Sequence, residues 1–146
     1  NELLHLSKLN QDLIQFKKNR IESEQVDGRN GNGQFKKRII THYKDEIVSI
    51  VTNDIAYVFL DHSGTHIRCL NGDQYSSNQS LAELELELDI NQFFRANRQY
   101  ILSINSIEKI FIFGNNQLKI QVNPTSDSDI LISKNRVSEF KQWLNS

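Results

Sequence analysis

Hydrophobic and polar residues change their spacing along this chain near residue 35. Before that point, apolar residues recur every three or four positions in a polar background, from Leu3 to Phe16. This period is typical of an amphipathic helix and predicts one helix over residues 1–26. Because the apolar stripe is too narrow to form a domain alone, it needs a partner. A second copy of residues 3–16, the domain that follows and an upstream domain all remain open as partners.

Glycine and asparagine dominate the next segment, residues 27–34, and predict a flexible linker. From Phe35 onward, alternating apolar positions and β-branched residues predict antiparallel strands. The predicted strands cover residues 35–43, 47–52, 55–60, 65–70, 74–77, 100–103, 106–113, 117–122 and 130–132. Gly114, Asn115 and Asn116 predict a hairpin turn between two of them.

Two further helices are predicted within residues 35–146. Ser80 and Glu83 form a capping-box pattern at the start of residues 80–88, although the alternation of leucine and glutamate there also fits a strand. Residues 135–144 carry Val137, Phe140 and Leu144 at helical spacing. The fold class that follows is mainly β with minor α, an antiparallel β domain with one inserted and one C-terminal helix, preceded by the N-terminal amphipathic helix.

Composition limits the class of protein. The chain has 146 residues and a formal net charge of −1, which suits one folded domain with an appendage. Its single cysteine, Cys69, excludes an internal disulfide and a cysteine-based zinc site. No apolar run is long enough for a membrane span and no signal peptide opens the chain, so we expect a cytoplasmic protein with no membrane partner. Since the sequence begins at Asn1 and has no methionine, we expect an upstream part to be missing.

Candidate binding chemistry concentrates in residues 93–107. Arg95 and Arg98 bracket Asn97 directly before an apolar strand, and such cations and amides suit phosphates and base edges. A second cationic turn, with Lys134 and Arg136, lies where the last strand leads into the last helix. The free N–H groups of a helix start favour an anion there, unless Ser133 or Asn135 simply caps the helix.

Other chemistry is not indicated by the sequence. In the strand over residues 65–70, His66 and Arg68 lie on the face opposite Ile67 and Cys69, where a histidine is usually only exposed. His62 and His66 straddle a turn without further ligands, so no metal is expected. No catalytic motif is present, and we therefore expect neither an enzyme nor a cofactor.

Three motifs in order make residues 35–144 resemble the LytTR (LytR/AlgR-type) DNA-binding domain of bacterial response regulators. The motifs are Ser80-Leu81-Ala82-Glu83-Leu84 followed by Phe93-Phe94-Arg95, then Arg98-Gln99-Tyr100-Ile101-Leu102 followed by Ile107-Glu108-Lys109-Ile110, and Ser133-Lys134-Asn135-Arg136 before Phe140-Lys141. The resemblance implies a mostly β fold that contacts double-stranded DNA through loops, as the output domain of a two-component transcription regulator. It also implies an upstream phosphoreceiver domain.

The resemblance implies two groups of contact residues. Base contacts fall on His66, Arg98 and Asn135. Backbone contacts fall on Arg95, Asn97, Ser133, Lys134 and Arg136.

The chain departs from the family pattern at three positions. Asn97 stands where the family usually has histidine, Gln99 where it has serine, and Ser103 where it has asparagine. The competing interpretation of the whole sequence is a β-rich protein-interaction module that binds no nucleic acid.

Overall fold

The computed structural model describes residues 8–11, 13–14 and 35–145. This part of the chain contains ten strands, of which nine overlap the strands that the sequence pattern predicts and one, over residues 93–95, does not. The strands are β1 (Arg38–Tyr43), β2 (Glu46–Val51), β3 (Ile55–Asp61), β4 (Gly64–Cys69), β5 (Gln74–Ser77), β6 (Phe93–Arg95), β7 (Tyr100–Ser103), β8 (Ile107–Phe113), β9 (Gln117–Val122) and β10 (Ile130–Ile132).

The strands form three antiparallel sheets. A central sheet has the order β5-β4-β3-β7-β6, a second sheet has the order β10-β9-β8, and β1 pairs with β2 as a separate hairpin. In the central sheet Phe59 lies opposite His66 on one side and opposite Tyr100 on the other. This register brings the β3–β4 turn and the segment before β7 to the same end of the sheet.

Two α-helices complete the domain, α1 (Leu81–Glu87) and α2 (Val137–Leu144). The capping box is confirmed, because the Ser80 side chain accepts from the Glu83 N–H while the Glu83 side chain accepts from the Ser80 N–H. The start of α2 differs from the prediction. Residues Lys134–Arg136 form a 3-10 turn before the helix, and neither Ser133 nor Asn135 makes a side-chain capping bond.

Apolar residues cover both faces of the central sheet. On one face, side chains such as Phe59 and Leu102 pack with the second sheet and with Phe140 of α2. On the other face, Val58 and Ile67 pack with α1 and with the β1–β2 hairpin. The predicted mainly β fold with one inserted and one C-terminal helix is therefore confirmed.

The burial of His66 differs from the expectation that its strand face is exposed. Its exposed fraction is only 8%, and its ring lies 5.1 Å from the ring of Phe59. The physical reason is the second apolar layer, because a strand with a core on both sides has no solvent-facing side.

The described residues of the N-terminal segment, 8–11 and 13–14, are helical. Leu9 and Leu13 are buried within the same core as the second sheet. The Asn10 amide donates to the carbonyl of Ile110 at 3.2 Å and accepts from its N–H at 3.0 Å. These contacts support the domain that follows as the partner of this helix.

Parts of the predictions lie outside the described residues, namely the 27–34 linker and the apolar positions Leu3, Leu6 and Phe16. Among the helices that the structure describes, none combines the length and the apolar character needed to cross a membrane.

Candidate functional site

Three segments meet at the end of the central sheet where β6 ends and β7 begins. The first is the β6–β7 segment, residues 96–99; the second is the turn after β10, residues 133–136; the third is the β3–β4 turn, residues 62–63. The Leu60 N–H donates to the Gln99 carbonyl at 2.9 Å, which joins the first segment to the third. All but one of the predicted contact residues lie in or directly beside the first two segments. The exception is His66, in β4.

Arg95 stabilises the conformation of the β6–β7 segment through hydrogen bonds from its guanidinium group. Its Nε donates to the Asn97 carbonyl at 2.7 Å and its Nη2 donates to the Arg98 carbonyl at 3.1 Å. Its Nη1 pairs with Glu85 of α1 at 3.1 Å. The guanidinium therefore satisfies two carbonyls of the segment and anchors them to a helix.

Asn97 organises the same segment through its side-chain amide. Its Oδ1 accepts from the backbone N–H groups of Gln99 and Tyr100, at 2.8 and 3.1 Å. Its Nδ2 donates to the Leu131 carbonyl of β10 at 2.9 Å. Asparagine is suited to such turns because its short amide can replace a backbone partner.

Arg136 connects the turn after β10 to the end of β6. Its Nη1 donates to the carbonyls of Arg95 and Ala96 at 2.6 and 3.1 Å. The guanidinium lies 5.0 Å from the centre of the Phe94 ring, and its Nη2 pairs with Glu139 at 3.2 Å. A charged donor that serves two carbonyls and an aromatic face fixes the relative position of both segments.

The remaining predicted residues of these two segments are free. Their side chains are exposed and make no hydrogen bond or ion pair with any residue that the structure describes; they are Arg98, Ser133, Lys134 and Asn135. Gln99 is exposed in the same way. The sequence pattern singled out Gln99 only as a departure from the family, and its free amide could not be foreseen from that.

A surface cleft of about 580 Å³ separates the two segments. Its walls include Asn97, Arg98, Leu131, Ser133 and Arg136. Acids also lie close by, because Asp129 lines the cleft and pairs with Lys119 at 3.4 Å. The cleft therefore has the exposed Arg98 on one side and the exposed Ser133 hydroxyl on the other, without being uniformly basic.

His66 is placed beneath the β3–β4 turn rather than on the surface. Its Nε2 lies 2.9 Å from Asp61 Oδ1 and 2.8 Å from Ser63 Oγ. Hydrogen bonds from the Ser63 side chain and backbone, with a further one from His66, lower the pKa of the Asp61 carboxyl from its ordinary 3.8 to about 2. The other ring nitrogen, Nδ1, lies 3.4 Å from Ser76 Oγ, so both ring nitrogens have partners within the domain.

The described part of the chain gives little support for metal binding or for a reactive cysteine. It contains no cluster of three or more histidine, cysteine, aspartate or glutamate side chains able to hold a metal ion. Cys69 is buried, and burial raises the pKa of its thiol to about 11. A thiol with so high a pKa is almost fully protonated at neutral pH and is a poor nucleophile.

Two of three comparisons with known proteins found a match. A family model described as the LytTr DNA-binding domain matches residues 45–145. Among solved structures, the LytTr DNA-binding domain of a Bacillus cereus response regulator is 18% identical, with a TM-score of 0.65, and the match covers 76% of this chain and 99% of that chain. At this identity the likeness shows a shared fold. No curated protein matches the sequence.

Proposed function

Because the chain belongs to the LytTR family of DNA-binding domains, we propose that it binds double-stranded DNA in a sequence-specific manner. Within that proposal it is the output domain of a two-component response regulator that controls transcription in the cytoplasm. An upstream phosphoreceiver domain would supply the signal. Contact with DNA requires no catalytic group, which agrees with a binding role rather than an enzymatic one.

One observation carries the proposal: free cations and amides from two segments converge at one end of the central sheet. Arg98 and Asn135 can each make paired hydrogen bonds, Arg98 to guanine and Asn135 to adenine, and we assign both to base edges. Ser133 and Lys134 are assigned to phosphates, where a hydroxyl and an ammonium both serve as donors. The exposure of all four side chains supports these roles.

Three residues that the family resemblance assigns to the DNA backbone receive a different role. The polar atoms of Arg95, Asn97 and Arg136 already bond to carbonyls and N–H groups in or next to the two segments. We therefore propose that they hold Arg98 and Asn135 in register for the DNA. Preorganised contact residues lose less conformational entropy on binding, which raises affinity without adding contacts.

The N-terminal helix is proposed to act within one chain rather than as a dimer interface. The buried positions of Leu9 and Leu13 and the paired hydrogen bonds of Asn10 support this role. A helix fixed to the second sheet could transmit the orientation of an upstream phosphoreceiver domain to the DNA-binding end.

Selection of duplexes from a random pool, followed by a salt titration, tests the proposal. We expect enrichment of a defined sequence, with log Kd rising linearly with log salt concentration because phosphate contacts release counterions. A scrambled duplex of equal length is the control and should bind more weakly by about 10³-fold or more. Recovery of no enriched sequence, or equal affinity for the scrambled duplex, would contradict specific DNA binding.

A further inference from the structure

We propose that the outer edge of β2 is a docking site for a partner protein, and that it takes an extended segment in which apolar residues alternate with lysine or arginine. The segment adds a strand to the β1–β2 hairpin, a mode of recognition in which main-chain hydrogen bonds supply affinity and side-chain pockets supply specificity. This site goes beyond the proposed function, because it lies away from the DNA-binding end and does not depend on it.

The backbone of β2 is paired on one side only. In the described part of the chain, β1 is its single strand partner. The Thr52 N–H donates to the Lys37 carbonyl at 2.8 Å, and residue pairs alternate between bonded and unbonded along an antiparallel ladder. Every second residue from Thr52 back along β2 therefore bonds to β1, whereas Ile47 and Ser49 direct their N–H and carbonyl groups outward.

The sequence of β2 does not protect this edge. Natural edge strands often carry a lysine, a proline or a bulge that prevents further pairing. The sequence of β2 is EIVSIV, its only charged residue is Glu46 at the first position, and its register with β1 is unbroken. Ile47 is 71% exposed. So apolar a strand with an open edge is suited to pair with a further strand.

A pocket of about 340 Å³ runs along the same edge. Four consecutive residues of β2, 48–51, line it, and successive side chains point to opposite faces of a strand, so the pocket lies at the strand edge. The opposite wall comes from the end of β4, the β4–β5 turn and the start of β5, with Leu70 and Tyr75 as its apolar surface. The methylene groups of a long side chain can pack there.

The charge of the pocket favours a basic partner. Asp54 and Asp73 both line it, and no lysine or arginine does so among the described residues. The Asn71 Nδ2 donates to Asp73 Oδ2 at 3.2 Å. Burial, and then the charges of Asp73 and Asp54, raise the pKa of the Cys69 thiol in the pocket to about 11, so the field of both carboxylates reaches this space. A lysine or arginine that packs its stem on Leu70 brings its cation to these carboxylates.

The pocket and the DNA-binding end lie at opposite ends of the central sheet. Strand β4 runs from Gly64, next to the β3–β4 turn, to Cys69, which lines the pocket. Six residues of strand span about 20 Å. A segment bound at β2 therefore leaves the DNA-binding end free, and a partner protein and a duplex can be bound at the same time.

Titration of a peptide into the full chain, followed by NMR, tests the proposal. The probe is a capped heptapeptide in which valine alternates with lysine. We expect saturable binding that shifts the amide signals of Ile47, Ser49 and Tyr75 but not that of Arg98. Two control peptides, one with glutamate in place of lysine and one with N-methylated amides, should bind at least about fivefold more weakly. No saturable binding of the probe, or equal binding of the N-methylated peptide, would overturn the proposal.

Variants separate the strand edge from the charge. Ser49→Pro removes an outward N–H, and proline is tolerated where the N–H of an edge strand faces solvent. We expect it to weaken peptide binding at least about fivefold with an unchanged circular dichroism spectrum. If Ser49→Pro does not fold, the N-methylated peptide decides the same point.

Asp73→Asn should weaken peptide binding about threefold and reduce its salt dependence. Glu108→Gln is the matched control, since Glu108 is exposed on β8, and should bind the peptide as the wild type does. Equal binding by Asp73→Asn and the wild type would overturn the choice of a basic partner.

A second copy of this chain is the other occupant that an open strand edge can take. Sedimentation over a range of protein concentrations should show no dimer that Ser49→Pro abolishes. Such a dimer, without binding of the peptide, would assign the edge to self-pairing and overturn the proposal. None of these measurements uses DNA, so they fail or succeed independently of the proposed DNA-binding function.

Discussion

At the scale of single residues, the two arginines that shape the site differ from the one that is free. Arg95 and Arg136 donate from their guanidinium groups to carbonyls of residues 95–98, with Glu85 and Glu139 as ionic partners. Arg98 projects from the same segment without a partner among the described residues. Arginines that meet at one end of the domain therefore have different roles, and their hydrogen bonds show which of them stabilise the site and which is available for a ligand.

Replacement of Arg136 by alanine is expected to destabilise the protein by about 2 kcal/mol, because two part-buried carbonyls lose a charged donor. Chemical denaturation of variant and wild type measures this loss. Lys134→Ala is the matched control, since the exposed side chain of this neighbour makes no hydrogen bond or ion pair with any residue that the structure describes. A fully stable Arg136→Ala protein would contradict the role of Arg136 in joining the two segments.

Lys134→Ala is expected to weaken binding to every duplex and to lower the salt slope of log Kd by about 1, because one phosphate contact is lost. Titrations of the selected and the scrambled duplex at several salt concentrations provide the measurement. An unchanged slope would remove Lys134 from the phosphate contacts.

The lowered pKa of the Asp61 carboxyl predicts that the stability of the fold depends on pH. Its pKa in the folded protein is about 2, below the ordinary value of 3.8, chiefly through hydrogen bonds from Ser63. A lowered carboxyl pKa stabilises the fold above the unfolded value and loses this effect as the pH falls from about 4 to about 2. The stability difference between wild type and Asp61→Asn should therefore shrink over that interval in urea titrations. A difference that is constant from neutral pH to pH 2 would contradict the Asp61 assignment.

At the scale of elements, the docked helical residues 8–11 and 13–14 change how the N-terminal segment is understood. The apolar stripe predicted a helix that needs a partner, and Leu9 and Leu13 are buried in the domain's own core. Asn10 adds a pair of hydrogen bonds to Ile110 of β8, the edge strand of the second sheet. Because the Asn10 amide occupies the N–H and carbonyl of Ile110, these two groups cannot pair with a further strand at this edge.

Leu13→Ala is expected to destabilise the protein by about 2 kcal/mol or more, because it removes buried methyl groups from a packed core. Ile14→Ala is the matched control, since Ile14 is 69% exposed and should be close to neutral. Thermal unfolding compares the two variants. Equal Tm values for both would show that the helix does not dock on the domain, and light scattering would then decide whether it dimerises.

The sequence predicts an element well when residues close in sequence determine it, and poorly when distant contacts do. The capping box of Ser80 and Glu83 and the turn at Gly114 depend on neighbours in sequence, and both were predictable. Strand β6 was not, because three residues are too few to show a period. The shift of α2 to Val137 was also missed, since the 3-10 turn before it coincides with contacts of Arg136 to distant carbonyls.

At the scale of the whole molecule, the packing of apolar layers explains which of the predicted site residues are exposed and which are buried or bonded internally. The sequence places Arg98 and Lys134 on turns, and turns are exposed in almost any fold. The burial of His66 follows from the second apolar layer on the central sheet, which no strand pattern of residues 65–70 reveals. The Asn97 bond to Leu131 and the Arg136 bonds to the Arg95 and Ala96 carbonyls likewise depend on partners that are far away in sequence.

The layers also give the domain one end at which free donors gather. The central sheet supplies Arg98, and the turn after β10 supplies Lys134 and Asn135. Arg136 and Asn97 tie these two parts together across the cleft. The central claim is that this end recognises DNA and that Arg98 is its principal contact with a base.

The most direct test is the affinity of Arg98→Ala for the duplex that the wild-type chain selects, with Arg38→Ala as the matched control. Arg38 is an exposed arginine on β1, which packs beside β5, the edge strand of the central sheet opposite β6. We predict that Arg98→Ala weakens specific binding by about 1–3 kcal/mol and relaxes the preference at one base position, while Arg38→Ala binds as the wild type does. Equal affinity of Arg98→Ala and wild type for that duplex would contradict the account.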